Sequence, residues 1–185
     1  MDKADTKQMR SLLLAVLRHD PDLIGVHLDP EGFVDAEDFL HCANLCQPLE
    51  YTEECLWDVL RASEGTTFGI EGESFRALSG HTTEMVEYPT SEPPEYLYYL
   101  IKKRDRRHVE EHGLAPAHER WVPLETSGEG AEATAGKRRI KKPLLVILRA
   151  REAWENGISF YTFCNRWYAQ EVPPCRIELF PLKGF

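Results

Sequence analysis

The sequence predicts an α+β chain folded as two lobes, and two observations predict it. Over residues 1–87, apolar residues recur three times at helical spacing and then alternate across a short hairpin. Past a Pro-rich stretch they come in short continuous runs bounded by turn residues, the pattern of buried strands. Three helices and a hairpin make residues 1–87 a winged-helix-like lobe. The stretch YPTSEPPE at 88–95 reads as a linker, and residues 96–185 as a mostly β lobe with one or two helices.

Met9, Leu12, Leu13, Val16 and Leu17 place one apolar face on the first helix. It should end near Arg18-His19, because Pro21 disfavours helical geometry at Asp20 and offers no N–H to the ladder. Leu28 to Val34 reads as a turn entering a short strand, after which Asp35 caps a second helix carrying Phe39, Leu40 and Ala43. A third helix turns Leu56, Val59 and Leu60 inward. Phe68-Gly69-Ile70 and Ser74-Phe75-Arg76-Ala77 then flank a Glu-Gly-Glu turn as a hairpin. In the second lobe, Leu97 to Ile101 reads as a buried strand. A helix over 103–112 is closed by Gly113, and residues 126–136 are read as a flexible surface loop. Pro143 to Leu148 is the clearest core strand, followed by strands at 158–163, 166–169 and 176–180.

Composition limits the partners. No apolar run reaches the roughly 18 residues that a membrane span needs. The opening MDKADTKQMR is too polar for a secretory signal, so a cytoplasmic, monomeric protein without a membrane partner is expected. Five scattered cysteines read as reduced thiols. His41, Cys42, Cys46 and Cys55 have no standard zinc spacing, so no metal is expected. Residues 1–92 hold 6 Lys/Arg against 19 Asp/Glu, whereas residues 93–185 hold 16 against 12. A phosphate backbone is gripped mainly by Lys and Arg, so a nucleic acid should be held locally or by the second half.

Arg18 and His19 fall at a helix C-terminus, where the helix dipole favours cations. Arg76 falls on the hairpin, and Arg138 and Arg139 lie in the basic run GKRRIKK. Each alone is an ordinary surface cation. Their neighbours, in order, say more. Leu17-Arg18-His19-Asp20-Pro21 is followed by Ile24-Gly25-Val26, Leu28-Asp29, Glu31-Gly32 and Val34-Asp35. Then come Phe75-Arg76-Ala77-Leu78-Ser79-Gly80-His81, Gly136-Lys137-Arg138, Asn156-Gly157-Ile158-Ser159-Phe160-Tyr161 with Asn165, and Val172-Pro173-Pro174. This ordered set resembles the NAD⁺-dependent RNA 2′-phosphotransferase family over roughly residues 9–182.

The resemblance implies a winged-helix lobe followed by an ADP-ribosyltransferase-like lobe, and a transferase of tRNA processing that removes an internal RNA 2′-phosphate. In the family the phosphate attacks the nicotinamide ribose of NAD⁺ and expels nicotinamide. The ribose 2″-hydroxyl then attacks the phosphate, releasing RNA and ADP-ribose 1″,2″-cyclic phosphate. It maps the catalytic set onto Arg18, His19, Arg76 and Arg138. Arg138 is preferred to the adjacent Arg139 because its distance to Val146-Ile147 matches the family's spacing. The implied cofactor-binding residues for NAD⁺ are Ser79, Gly80, His81, Tyr98 and Tyr99. The implied partner is RNA carrying a 2′-phosphate, or another phosphorylated nucleic-acid end. The chemistry is sensible, since phosphoryl transfer is largely positioning and charge stabilisation, and guanidinium forks hold phosphate oxygens in fixed geometry.

The chain departs from the family on the NAD⁺ side. Tyr99, Leu100 and Ile101 stand where the family has His-Gly-Thr, and Leu78-Ser79 where it has Asn-Gln. Val122-Pro123-Leu124-Glu125 replaces Val-His-Leu-Ser, so Tyr99 and Pro123 displace both histidines. Three readings stay open at this point: an active 2′-phosphotransferase, a phosphate- or RNA-end-binding pseudoenzyme with a degenerate NAD⁺ pocket, and an ADP-ribosyltransferase with a changed acceptor that uses Glu125 or Glu171. Tyr96, Tyr98 and Tyr99 read either as a base-stacking platform or, for Tyr99, as core packing.

Overall fold

The computed structural model describes residues 3–48, 50–116, 120–137, 140 and 143–181. The chain mixes helices with antiparallel sheet and divides into two compact units, residues 1–87 and 88–185.

The first unit opens with α1 (Lys3–Arg18), whose Met9, Leu13, Val16 and Leu17 are fully buried. The helix stops where the chemistry requires. Asp20 N–H turns back to the Ala15 carbonyl at 2.9 Å, and Pro21 starts a separate single turn. β1 (Val34–Asp35) leads into α2 (Ala36–Cys46), capped by the Asp35 carboxylate, which accepts from Glu37 N–H at 2.8 Å. Thr52 caps α3 (Glu53–Arg61) through Cys55 N–H. β2 (Phe68–Glu71) and β3 (Ser74–Ala77) form the hairpin, and the sheet order is β1-β3-β2, all antiparallel. Phe75 from β3 meets Phe39 from α2 edge to face at 5.4 Å, so helix and sheet share one apolar interior.

The second unit contains β4 (Tyr96–Lys102), α4 (Arg106–His112), β5 (Val122–Leu124), α5 (Gly128–Lys137), β6 (Pro143–Arg149), α6 (Ala150–Glu155), β7 (Phe160–Phe163), β8 (Arg166–Ala169) and β9 (Ile177–Pro181). Two antiparallel sheets, β4-β6-β9 and β5-β8-β7, meet where Tyr98 and Glu125 exchange backbone hydrogen bonds at 2.8 and 2.9 Å. Leu97, Val146, Leu148, Ala153 and Phe160 lie fully buried in the core of this unit. Gly113 closes α4 at φ +82, and a Cβ there would stand 2.0 Å from the Val172 carbonyl oxygen, so only glycine fits.

One local expectation needs correction. Residues 126–136 do not form a loop, because most of them build α5. Ser127 Oγ accepts from Gly130 N–H at 3.0 Å, and Ala131 is buried beside Leu100, so a cap and an apolar anchor outweigh the glycines. Residues 88–95 make contacts of their own with the second unit. Tyr88 stacks on Phe163 at 4.6 Å, Ser91 N–H donates to the Phe160 carbonyl at 2.9 Å, and Glu92 pairs with Arg151.

A cationic pocket at the end of the first helix

The last turn of α1 delivers Arg18, and its free carbonyl is taken up by the segment that follows β3. Thr82 N–H donates to Arg18 O at 2.7 Å and Thr83 N–H at 3.1 Å. These bonds require a tight return at Gly80, whose φ of +83 is open to glycine and strained for other residues. The Arg18 side chain lies across that glycine: a Cβ on Gly80 would stand 3.3 Å from Arg18 Cδ and 3.4 Å from Cζ. His19, exposed at the helix end, places Nδ1 2.9 Å from Thr82 Oγ1.

Arg76 arrives from β3 and is seated by the turn at Asp29–Phe33. That turn is tied by Gly32 N–H to Asp29 O at 2.9 Å and by Phe33 N–H to the Asp29 carboxylate at 2.8 Å. Arg76 Nη1 donates to the Glu31 carbonyl at 3.2 Å and lies 3.5 Å from the Glu31 carboxylate. Its guanidinium stacks 4.3 Å from the centre of the Phe33 ring. The fork is thus held by backbone and ring, while the carboxylate, 75% exposed, adds little in water.

His81 lies beneath these groups, 1% exposed, with Nε2 beside Gly32. Burial first, and then the positive charges of Arg18, His19 and Arg76, hold its pKa down at about 4. It is therefore neutral at physiological pH. Those shared influences also show that Arg18, His19, Arg76 and His81 form one electrostatic cluster. Ser79 is half-buried on the same return segment. Sequence reasoning reaches Arg18, His19, Arg76 and the Gly80 turn. It misses Thr82, Glu31 and Phe33, whose types carry no signal until tertiary structure brings them to the cations.

The remaining expected site residues belong to the second unit. Arg138 and Arg139 lie outside the described residues. Tyr98 and Tyr99 pack on different apolar clusters, Tyr98 with Leu145 and Ala131, Tyr99 with the main core. Tyr99 is half-buried against the core, and these two neighbouring rings point to opposite faces of the strand. Leu100 and Ile101 are buried, and Pro123, without an N–H, pairs opposite Tyr168 on the terminal strand of its sheet. The Glu125 carboxylate accepts from Thr134 Oγ1 at 2.9 Å. Tyr98, Tyr99, Pro123 and Glu125 all stay partly exposed. Among the described residues no cluster of metal-ligating side chains occurs, and no helix is long and apolar enough to cross a membrane.

Comparison with known proteins agrees with the resemblance. The family model described as RNA 2′-phosphotransferase, Tpt1/KptA family, matches residues 4–169. A probable RNA 2′-phosphotransferase of Acetivibrio thermocellus is 33% identical over 172 residues, covering 91% of this chain and 94% of its own length. Proteins of the same description from Escherichia coli and Bacillus thuringiensis are 32% and 31% identical, each across 85% of this chain and across 80% and 86% of their own lengths. The matched span takes in nearly all of α1 and the Gly80 return and reaches β8 of the second unit, so this chain belongs to the RNA 2′-phosphotransferase family.

Proposed function

We propose that this protein is an RNA 2′-phosphotransferase whose first unit grips the RNA 2′-phosphate. The observation that carries this reading is the gathering of Arg18, His19 and Arg76 around the same buried His81, from a helix end and a strand far apart in sequence. The two guanidinium groups hold phosphate oxygens and balance their charge. His19 donates a hydrogen bond or moves a proton at the same phosphate. Arg138 is assigned as a fourth phosphate-handling residue on its sequence position. Ser79 and Gly80 border the pocket and lie in reach of a bound nucleotide, while His81 supports the arginines from below. We read the first unit as winged-helix-like and the second as ADP-ribosyltransferase-like, the whole acting as a cytoplasmic monomer.

In this family NAD⁺ accepts the phosphate. Tyr99, packed against the core, and Pro123 stand where the family has histidines, so this chain offers the nicotinamide end fewer hydrogen-bond donors. The same packing favours a second reading, in which the chain binds a 2′-phosphorylated RNA end without transferring the phosphate. One experiment separates the two. A 2′-phosphorylated oligonucleotide is incubated with the protein, with and without NAD⁺, and phosphate loss and free nicotinamide are measured. NAD⁺-dependent loss of the phosphate establishes the transferase. Tight binding of the 2′-phosphorylated oligonucleotide without turnover establishes the binder. No turnover, together with equal affinity for the unphosphorylated oligonucleotide, overturns both.

A further inference from the structure

We infer that the cavity at one end of the β5-β8-β7 sheet is a pocket for a nucleobase of the bound RNA, and that it prefers guanine. This inference rests on the reading of RNA as the substrate, and names a contact made by the second unit alone. Because β8 pairs antiparallel with both neighbours, the chain leaving β8 meets the chains entering β5 and β7. Those three strand ends bring Arg120, Ser159, Gln170 and Glu171 around a cavity of about 630 Å³, with Pro116 and Ile158 on its walls. That volume lies in the range of small-ligand sites. Among the described residues none of the four polar side chains has a hydrogen-bond or ion-pair partner. Two cavities of the first unit differ in this respect. Their polar side chains already serve the fold: Asp35 caps α2, Asn44 braces Tyr51, and Ser11 donates to its own helix.

Arg120 is set up for planar recognition. Its guanidinium lies 5.0 Å from the centre of the Trp121 ring, and that indole is buried against Tyr161 and Tyr88. Stacking fixes the plane of the fork and leaves its N–H donors to a ligand. Glu171 brings two carboxylate acceptors to the same cavity, yet the two opposite charges do not pair with each other. A ligand that satisfies both must accept on one edge and donate on another. Guanine does each twice over. Its O6 and N7 accept from a guanidinium fork, and its N1–H and N2–H donate to a carboxylate. Adenine turns the lone pair of N1 toward the carboxylate, and cytosine and uracil each offer it a single nitrogen donor. Pro116 and Ile158 give the base faces apolar contact, as in pockets that take bases of single-stranded RNA.

The test uses the full chain and four RNA trinucleotides, UGU, UAU, UCU and UUU, none of which carries a 2′-phosphate. UGU should bind about tenfold more tightly than the other three, the discrimination expected of a bidentate pair, and should shift the backbone amide NMR signals of residues 157–159, 170 and 171. Arg120→Ala and Glu171→Gln change side chains that the fold does not use, so both should melt like the wild type. Each should bring UGU within about twofold of UAU. Arg18→Ala, altered in the first unit, should keep the guanine preference. Equal affinities for the four trinucleotides overturn the inference, as does a guanine preference that survives both Arg120→Ala and Glu171→Gln. Absence of 2′-phosphate binding by the wild type would sink the reading of the first unit's pocket instead, while the trinucleotide comparison still decides the role of this cavity.

Discussion

The Arg18 guanidinium rests on the backbone of Gly80, sixty-two positions later in the chain, in a space where a Cβ would stand 3.4 Å from Cζ. Gly80→Ala should therefore be harmful twice over. A φ of +83 strains any L-residue by about 1–2 kcal/mol, and the methyl group displaces Arg18. The expected result is a lower melting temperature together with weaker binding of a 2′-phosphorylated nucleotide. A variant with wild-type affinity would show that Arg18 does not need this seat.

Arg76→Ala should weaken binding or turnover of a 2′-phosphate by roughly 10–100-fold, the cost of hydrogen bonds to a charged ligand. Arg76→Lys restores charge without the planar fork, and only part of the loss should return. Phe33→Leu should cost a few-fold, since a cation–π contact of this kind contributes about 0.5–1 kcal/mol. Titration calorimetry on the three variants checks that order.

His81 makes stability depend on pH in a defined direction. Its folded pKa of about 4 lies below the ordinary 6.5, so the unfolded chain binds more protons between those values. This contribution to stability is fully present above pH 6.5, declines as pH falls toward 4, and amounts to at most about 3 kcal/mol. Urea melts at pH 7 and pH 4.5 should show the loss. In His81→Gln the difference between the two pH values should shrink, whatever its absolute stability. An unchanged difference would remove His81 as the cause.

The two ends of the second unit's scaffold differ in tolerance. Gly113→Ala drives a Cβ into the Val172 carbonyl and should cost about 4 kcal/mol or more, seen as loss of cooperative unfolding. Glu125→Ala removes one hydrogen bond to Thr134 and should cost only about 1 kcal/mol, with a small loss of helical circular dichroism from α5.

Much of this is legible in the sequence. The end of α1 was readable because Pro21 stops a helix by covalent geometry alone, and the Asp35 cap because it acts on its own neighbours. Arg18, His19 and Arg76 were reachable because the segments around them resemble a family in order. α5 was not legible, since its glycines argue for a loop and its stabilising contact, Ala131 on Leu100, comes from another strand. Thr82 was invisible for the same reason: its value lies in a hydrogen bond across sixty-three positions. Tyr99 shows the converse. Its substitution is plain in the sequence, but only the fold shows that its ring leans on the core.

The acidic balance of the first half has a kinetic meaning. A pocket of cations set in an excess of carboxylates attracts at contact and repels at a distance. A long polyanion approaching this unit meets the repulsion first. Raising salt should speed its arrival by shortening the reach of the carboxylates, the reverse of ordinary RNA-binding surfaces, whose association slows with salt. The same field should then favour a single phosphate that comes close over an extended strand that presents none.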